Sequence, residues 1–441
     1  VLKGFRDYLP EAMILRQRII GTFRAIFERH GYEPLDTPAI EYLEILTGKA
    51  GENERLMYRF QDQGGRDVGL RYDLTVPLAR LAAMHQNDVV LPFKRYHIAP
   101  VWRAEKPQRG RFREFWQCDA DVVGSSSMLA DAESVAITVE ALEAVGLPNF
   151  RIRISDRRLL TSIARSAGID ESRAGQVYRA IDKLDKIGAG DVEKLLVEGG
   201  TEPAAARQVL ELITLDQPGP LLLDELRNRL SADNEAMAAL RDLSELLDAV
   251  NAFGVDAARY AIDLSLARGL DYYTGPVFEA SVESPKIGSV AGAGRYDGLI
   301  GSFSGKPTPA TGLSLGIERI IEVVREYDLL PSVTTVSEVF VAYLPETLRQ
   351  AAEVADALRG ATIRTDLSLL PRRGIGDQLK YAGRKGVPLG VIVGLDEVEK
   401  GEVVIRDLGS GDQNAVSREN VVSQVRNRLS RLHDRERTRG E

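Results

Sequence analysis

Cysteine is almost missing from this chain. One thiol, Cys118, in 441 residues has no intramolecular disulfide partner, so a disulfide-framed secreted domain is excluded and a reducing cytoplasm fits. Histidine is nearly as scarce: His30, His85, His97 and His433 are scattered without metal-ligand spacing, and no structural metal is expected. No run of about 18 apolar residues and no cationic signal segment appears, so neither a membrane partner nor secretion is expected. The chain opens on Val1 rather than Met, as it would after loss of an initiating residue or a leader. A basic excess is missing as well, and the net charge of −8 argues against a surface that coats nucleic acid wholesale, though local basic patches stay open. From Val336 onward 17 Lys and Arg face 16 Asp and Glu, so that region is +1 and the remainder −9, which makes the C-terminal part the less repulsive one for a polyanion. The 44% hydrophobic and 28% charged residues are ordinary globular material, enough for two to four domains.

The richest segment is Arg-Ala-Glu-Lys-Pro-Gln-Arg-Gly-Arg-Phe-Arg-Glu-Phe-Trp-Gln-Cys-Asp-Ala-Asp, residues 103–121. It reads as a β-hairpin turning at Lys106 to Gly110. Strand alternation puts Arg103 and Glu105 on one face before the turn, and Arg111, Arg113, Gln117, Asp119 and Asp121 on one face after it. A solvated edge hairpin also carries charge. The opposite face, with Ile98, Val101, Phe112, Phe115, Trp116, Val122 and Val123, is too apolar for that and implies a sheet that holds the polar face rigid. Guanidinium forks fixed in a concave site suit phosphate. Cys118 falls on the apolar face as a small buried hydrophobe rather than a nucleophile.

Elsewhere, apolar spacing predicts a helix over 12–30 ended by Gly31, then an extended segment from Tyr32 to Ile40. Residues 56–75 read as paired strands around Asp62 to Gly65, with a helix from Val76 to Met84. Asp73 and Thr75 share a strand face there, or serve as helix caps. The Leu, Ala, Glu and Arg texture of 156–254 predicts an all-helical insertion. Gly292, Gly294 and Gly298 do not have dinucleotide spacing and mark close backbone approach instead. Beyond Pro331, strands at 339–343, 361–367, 389–393 and 402–407 alternate with helices at 346–358, 376–383 and 418–432, which implies a separate α/β domain. The charge-dense tail 433–441 is expected to be disordered.

The hairpin, together with Leu-Ala-Arg-Gly-Leu-Asp-Tyr-Tyr-Thr-Gly (266–275), Gly-Arg-Tyr-Asp-Gly-Leu (294–299) and Gly-Leu-Ser-Leu-Gly-Ile-Glu-Arg (312–319), resembles the class II histidyl-tRNA synthetases from Gly4 to about Leu429. The resemblance implies an α+β catalytic domain with a mostly antiparallel sheet over 1–325, interrupted by the helical insertion 156–254, and an α/β anticodon-binding domain over 335–432. It implies a cytoplasmic homodimer built on the first long helix and the strand after it, acting on ATP with Mg2+, L-histidine and tRNA(His). It also implies roles. Arg103 bridges the substrate carboxylate and the α-phosphate, and Arg268 contacts that phosphate. Glu105 accepts from the adenine amino group, while Arg111 and Arg319 hold the outer phosphates. Asp73, Thr75 and Gln117 hold the amino-acid backbone; Asp121 and Tyr273, beside Tyr272, read the imidazole. Gln108 and Arg109 reach the tRNA acceptor end.

Three departures and alternatives accompany it. Bacterial members often carry Glu where Asp121 stands, one methylene longer. Where the family has two glycines this chain has Ala293-Gly294, an added methyl that would narrow the pocket wall. Arg268, read without the family, is an interior partner for Asp263 or Asp271. The rival readings are a catalytically silent paralogue that assists ATP phosphoribosyltransferase, and an RNA-binding or stress-sensing module on an inactive synthetase fold.

Overall fold

The computed structural model of the chain describes residues 1–47, 51–267, 272–370 and 372–439. Helix α1 (Pro10–Arg29) buries Ile19, Ile20, Phe23, Ile26 and Phe27 at helical spacing, and Gly31, at φ +76°, follows its end. Next come β1 (Glu33–Pro34), β2 (Ile40–Tyr42), α2 (Leu43–Leu46), β3 (Arg59–Gln61), β4 (Asp67–Leu70) and α3 (Thr75–Met84). The hairpin strands β5 (Phe93–Trp102) and β6 (Glu114–Val123) pair antiparallel in continuous register from Phe93 opposite Val123 to Trp102 opposite Glu114. After α4 (Met128–Ala144) and β7 (Phe150–Asp156), six helices and a single turn intervene: α5 (Arg157–Ser166), α6 (Ala174–Ile181), α7 (Leu184–Ile187), α8 (Ala189–Glu198), α9 (Pro203–Ile213), α10 (Gly219–Arg229) and α11 (Asn234–Ala252). Strands β8 (Tyr260–Ile262), β9 (Pro276–Val282) and β10 (Ser289–Arg295), helix α12 (Asp297–Ser304), strand β11 (Ala310–Gly316) and helix α13 (Ile317–Glu326) complete this part.

The chain divides into two compact units, Val1–Asp7 with Arg18–Leu330, and Tyr8–Gln17 with Pro331–Glu441. The first is built on one eight-stranded sheet in the order β1-β5-β6-β11-β10-β9-β7-β8, antiparallel except for the edge pairs β1–β5 and β7–β8. The insertion belongs to this unit, because α11 packs along α4 and α5.

Helix α4 covers the inner strands β9, β10 and β11. It is pinned by a buried pair, Asp131 and Arg295. Arg295 donates to Asp131 Oδ2, to the Ser125 carbonyl at 3.0 Å and to the Ser127 carbonyl at 3.2 Å, while Thr311 Oγ1 donates to Asp131 Oδ1 at 2.8 Å. Burying two charges is tolerable only when they are paired and hydrogen-bonded, and removing one strands the other. Asp131→Ala is therefore expected to lower stability by roughly 3–5 kcal/mol. Urea unfolding measures this; an unshifted midpoint would show that the pair is dispensable.

The second unit holds β12 (Val339–Tyr343), α14 (Leu348–Gly360), β13 (Thr365–Leu367), α15 (Ile375–Lys385), β14 (Leu389–Val393), α16 (Leu395–Glu399), β15 (Glu402–Asp407), β16 (Gln413–Ser417) and α17 (Val421–Arg439). Its sheet runs β13-β12-β14-β15-β16, with the first three parallel. Val339, Val341, Val391, Val354 and Val425 form one core layer, and Phe340, Ala342, Leu379 and Ala382 the other. Two expectations change. The edge strand β16 was missed because Gln413-Asn-Ala-Val-Ser is polar and mostly exposed, without apolar alternation. The tail expected to be disordered continues α17 to Arg439. A helix already nucleated over Val421, Val425 and Leu429 propagates cheaply through Arg- and Glu-rich sequence.

Candidate active site

A cavity of about 260 Å³ opens on the polar face of the eight-stranded sheet. Strand β6 brings Gln117, Asp119 and Asp121 to it at a period of two, and β11 sets Gly316, Ser314 and Gly312 opposite them. Fully buried Cys118 and Ala120 take the other face. The glycines are required by close approach. A Cβ on Gly312 would lie 2.1 Å from Asp121 Oδ1, and one on Gly294 2.8 Å from the Tyr273 ring. Ala293, next to Gly294 and opposite Leu313, does not line the cavity, so its methyl narrows nothing.

At one end three guanidinium groups converge. Arg103 donates through Nε to the Tyr72 carbonyl at 2.9 Å and lies 5.2 Å from the Phe115 ring centroid. Arg111 Nη1 is 3.1 Å from Glu105 Oε2. Arg319, on the first turn of α13, donates to the Ser289 carbonyl at 2.5 Å. Burial, and then the nearby charge of Arg111, hold the Arg319 guanidinium below its ordinary value, with Arg103 adding to the effect. Like charges crowded around one cavity make a standing demand for an anion. Behind them Glu318 accepts from Arg6 Nη2 at 2.5 Å, and the Arg6 guanidinium stacks 3.3 Å from the centroid of Phe112, another lining residue.

At the other end the carboxylates gather. Asp121 accepts from the Tyr296 hydroxyl at 2.5 Å, and its second oxygen is 2.7 Å from Nη2 of the fully buried Arg95. Burial pushes its carboxyl above the usual carboxylate range, and the charge of Arg95 opposes the rise. Asp119 has no such cation in contact; burial and then the charge of Asp121 push it up to about 8. Tyr273 stacks edge-on against Tyr272 with centroids 5.0 Å apart, and Thr75 lines the same end. Burial raises both phenols, so they stay protonated and able to donate.

A family model described as histidyl-tRNA synthetase matches residues 4–320, and one described as an anticodon binding domain matches residues 338–428. The chain belongs to the histidyl-tRNA synthetase family. The histidine–tRNA ligase of Aeropyrum pernix is 46% identical over 428 residues, 94% of each chain. That of Rhodopirellula baltica is 42% identical over 420 residues, 94% of this chain and 95% of the relative. Among solved structures, histidyl-tRNA synthetase from Nostoc sp. PCC 7120 is similar at a TM-score of 0.88 and 32% identity, covering 97% of this chain and 99% of that one.

Within this histidyl-tRNA synthetase fold, Thr75, Arg103, Glu105, Arg111, Gln117, Asp121, Tyr272, Tyr273 and Arg319 all line the one cavity. Four residues singled out from the sequence do not. Asp73 Oδ1 accepts the Val76 N–H at 3.0 Å as a helix cap, while its Oδ2 is buried without a partner; burial pushes the group up to about 6. Gln108 forms a tight turn with Arg111. Arg109 pairs outward with Glu322 at 3.2 Å and Glu326 at 2.7 Å. Arg113, predicted on the polar face, bonds instead to the Glu105 carbonyl at 3.1 Å and the Lys3 carbonyl at 3.2 Å. The regular strands stop at Trp102 and resume at Glu114, so alternation does not govern 103–113. Phe112, Phe115 and Trp116, expected on the apolar face, line the cavity: Phe112 lies outside the regular strands, Phe115 shares the parity of Gln117 on β6, and Trp116 stands near the start of that strand. Arg268 and Asp271 lie outside the described residues, and Asp263 pairs with Arg153 at 3.2 Å.

Sequence reasoning missed Arg95, Tyr296 and Ser314, and gave Asp119 a face but no role. The signal for Asp119 was present: an Asp at a period of two between two assigned residues. Arg95 and Tyr296 act only through the sheet register, which no local pattern shows.

Proposed function

We propose that this protein activates L-histidine with ATP, forming histidyl-adenylate and pyrophosphate, and then transfers histidine to the 3′ end of tRNA(His). The observation that carries the reading is the division of one cavity into a cationic end and a carboxylate and phenol end. The substrate carboxylate attacks the α-phosphorus; one P–O bond forms as the bond to pyrophosphate breaks in line. Two anions must meet, so the protein's work is orientation and charge neutralisation rather than proton transfer. Arg103 bridges carboxylate and α-phosphate, Arg111 and Arg319 take the outer phosphates, and Glu105 accepts from the adenine amino group. Mg2+ is read as part of the substrate, carried on the phosphates. Thr75 and Gln117, with Asp73 beneath, hold the amino-acid backbone. Tyr273 and Asp121, beside Tyr272, form the imidazole end, where a ligand that fails to pair the buried polar groups is rejected strongly.

Gln108 and Arg109 are assigned to the tRNA acceptor end. The Arg109 ion pairs are exposed and worth little, so a phosphate can replace them. A second copy of the chain is assigned to α1 and the extended segment after it; Ile40 ends that segment, and it is exposed, as are the apolar side chains of Tyr42, Phe60 and Met84, all four 43–69% exposed. Among the described residues no helix is long and apolar enough to cross a membrane, and the cytoplasm is the assigned compartment.

Histidine-dependent ATP–pyrophosphate exchange tests the activity. Absence of exchange with every amino acid would turn the reading toward a silent regulatory paralogue. Arg268→Ala is expected to slow exchange by about 10²–10³, the scale for losing one donor oriented at developing charge. An unchanged rate would remove Arg268 from the mechanism.

A further inference from the structure

Residues 103–113 bring Glu105 and Arg111 to the cavity without a strand ladder, because the regular strands stop at Trp102 and resume at Glu114. Other contacts must hold this loop, since Arg111 and Arg319 line the same cavity and like charges repel. The first half is anchored from within the sheet region: the Leu56 carbonyl accepts the Ala104 N–H at 2.7 Å, and the Glu105 carbonyl accepts from Arg113 Nε at 3.1 Å. The second half leans on the N-terminal segment. The Gly4 carbonyl accepts the Arg113 N–H at 2.9 Å. Gly4, at φ +89°, approaches so closely that a Cβ there would lie 2.8 Å from Arg113 Cγ and 2.9 Å from Pro107 Cγ. Two residues on, the Arg6 guanidinium lies 3.3 Å from the ring centroid of Phe112, next to Arg111, and its Nη2 donates at 2.5 Å to Glu318, next to Arg319.

Resting on the histidine-activating reading above, we propose that Arg6 is a positioning residue for the triphosphate: it ties the loop that carries Arg111 to the helix that carries Arg319, and so fixes the spacing of the two guanidinium groups that take the outer phosphates. Arg6 does not itself line the cavity, whereas both of its partners do. A guanidinium suits the task, because it offers a flat face to a ring and edge donors to a carboxylate at the same time. Glu318 is 5% exposed and accepts the Trp116 N–H through its other oxygen at 3.4 Å, so it is a fixed anchor and its pairing is screened less than that of a surface ion pair.

The two halves of the loop then answer differently to loss of the bridge. Without Arg6, repulsion drives Arg111 and Arg319 apart, and a phosphate placed between them bonds one well and the other poorly. Glu105 belongs to the half anchored by Leu56 and by the Arg113 side chain, so the adenine end keeps its geometry. The carboxylate and phenol end is built on β6, β11 and α3 and makes no use of the N-terminal segment. The bridge therefore acts on the outer phosphates and on nothing else in the cavity.

The test is calorimetric titration of the full-length protein with ATP and with AMP, which lacks the outer two phosphates, alongside exchange kinetics. Expected for Arg6→Ala is an ATP affinity lowered about 10- to 100-fold, the scale of displacing a positioned group by about 1 Å, with AMP affinity and histidine KM within about threefold of wild type. Arg6→Lys keeps the charge at Glu318 without the flat fork and is expected to recover part of the loss. Glu318→Gln, which keeps the side chain's shape, should show the same selective loss and decides the matter if Arg6→Ala does not fold. The double variant should lose no more than the worse single one, because both remove one bridge. A merely structural arginine would weaken ATP, AMP and histidine together. That result, an ATP affinity within about threefold of wild type, or additive losses in the double variant overturns the proposal. A wild type that shows no histidine-dependent exchange refutes the functional reading instead, while the comparison of ATP with AMP still decides the bridge, so the two failures are distinguishable.

Discussion

Replacing Arg103 by alanine is expected to slow histidine-dependent ATP–pyrophosphate exchange by about 10²–10³, with the loss mainly in kcat. Its Nε is spent on the Tyr72 carbonyl and its plane lies beside Phe115, so two contacts hold the guanidinium while its outer nitrogens reach the cavity. That pre-orientation makes the donor effective, because no reorganisation is needed as charge develops on the transferring phosphorus. Arg103→Lys is expected to recover little, since an ammonium has neither the fork nor the plane. Arg113→Ala is the control. That arginine lies ten residues along the same loop but bonds to the backbone outside the cavity, and its removal is expected to leave kcat within about tenfold of wild type, far short of the loss of an aimed donor. Both variants should keep the wild-type melting temperature. Equal loss of rate in Arg103→Ala and Arg113→Ala would mean that the loop as a whole, rather than an aimed guanidinium, matters.

The parts of this architecture legible in the sequence are those governed by short periods. Gln117, Asp119 and Asp121 lie on one face because β6 is a regular strand, and Cys118 is buried for the same reason. The α1 core positions follow helical spacing, as do the helices of the insertion. Legibility ends where the chain leaves regular structure. Between Trp102 and Glu114 the backbone turns, and Arg113 and Phe112 exchange the faces that alternation assigns them. Asp73, given two readings by the sequence, uses one oxygen as a helix cap and keeps the other unpartnered, so both readings stay open at a single side chain. Least legible are contacts made by register alone. Tyr296 reaches Asp121 across 175 positions of sequence and Arg295 reaches Asp131 across 164. Both belong to the Gly-Arg-Tyr-Asp motif that marks the family; the structure uses them to hold the sheet and its carboxylate end, one step removed from the cavity's phosphate end.

Gly312→Ala is expected to be more damaging than its one added methyl implies. The new Cβ would lie 2.1 Å from Asp121 Oδ1, 2.4 Å from its Cγ and 2.9 Å from the Ala120 carbonyl. A side chain can swing away, but the Ala120 carbonyl belongs to the β6–β11 ladder and cannot move without opening the sheet. If Asp121 swings, it abandons Arg95, which is fully buried and has no other carboxylate in contact among the described ion pairs. Leaving a buried charge unpaired costs about 3–5 kcal/mol. The expected result is a large drop in the urea midpoint together with loss of histidine activation, since the wall behind the imidazole end collapses. ATP binding, supported by arginines at the opposite end, should survive in whatever fraction folds. Gly292→Ala provides the comparison. Gly292 also lines the cavity, yet a Cβ there meets nothing within 4 Å, so its midpoint should stay within about 0.5 kcal/mol of wild type. A Gly312→Ala protein as stable as Gly292→Ala would show that the tight approach of β11 to Asp121 does not hold the carboxylate end together.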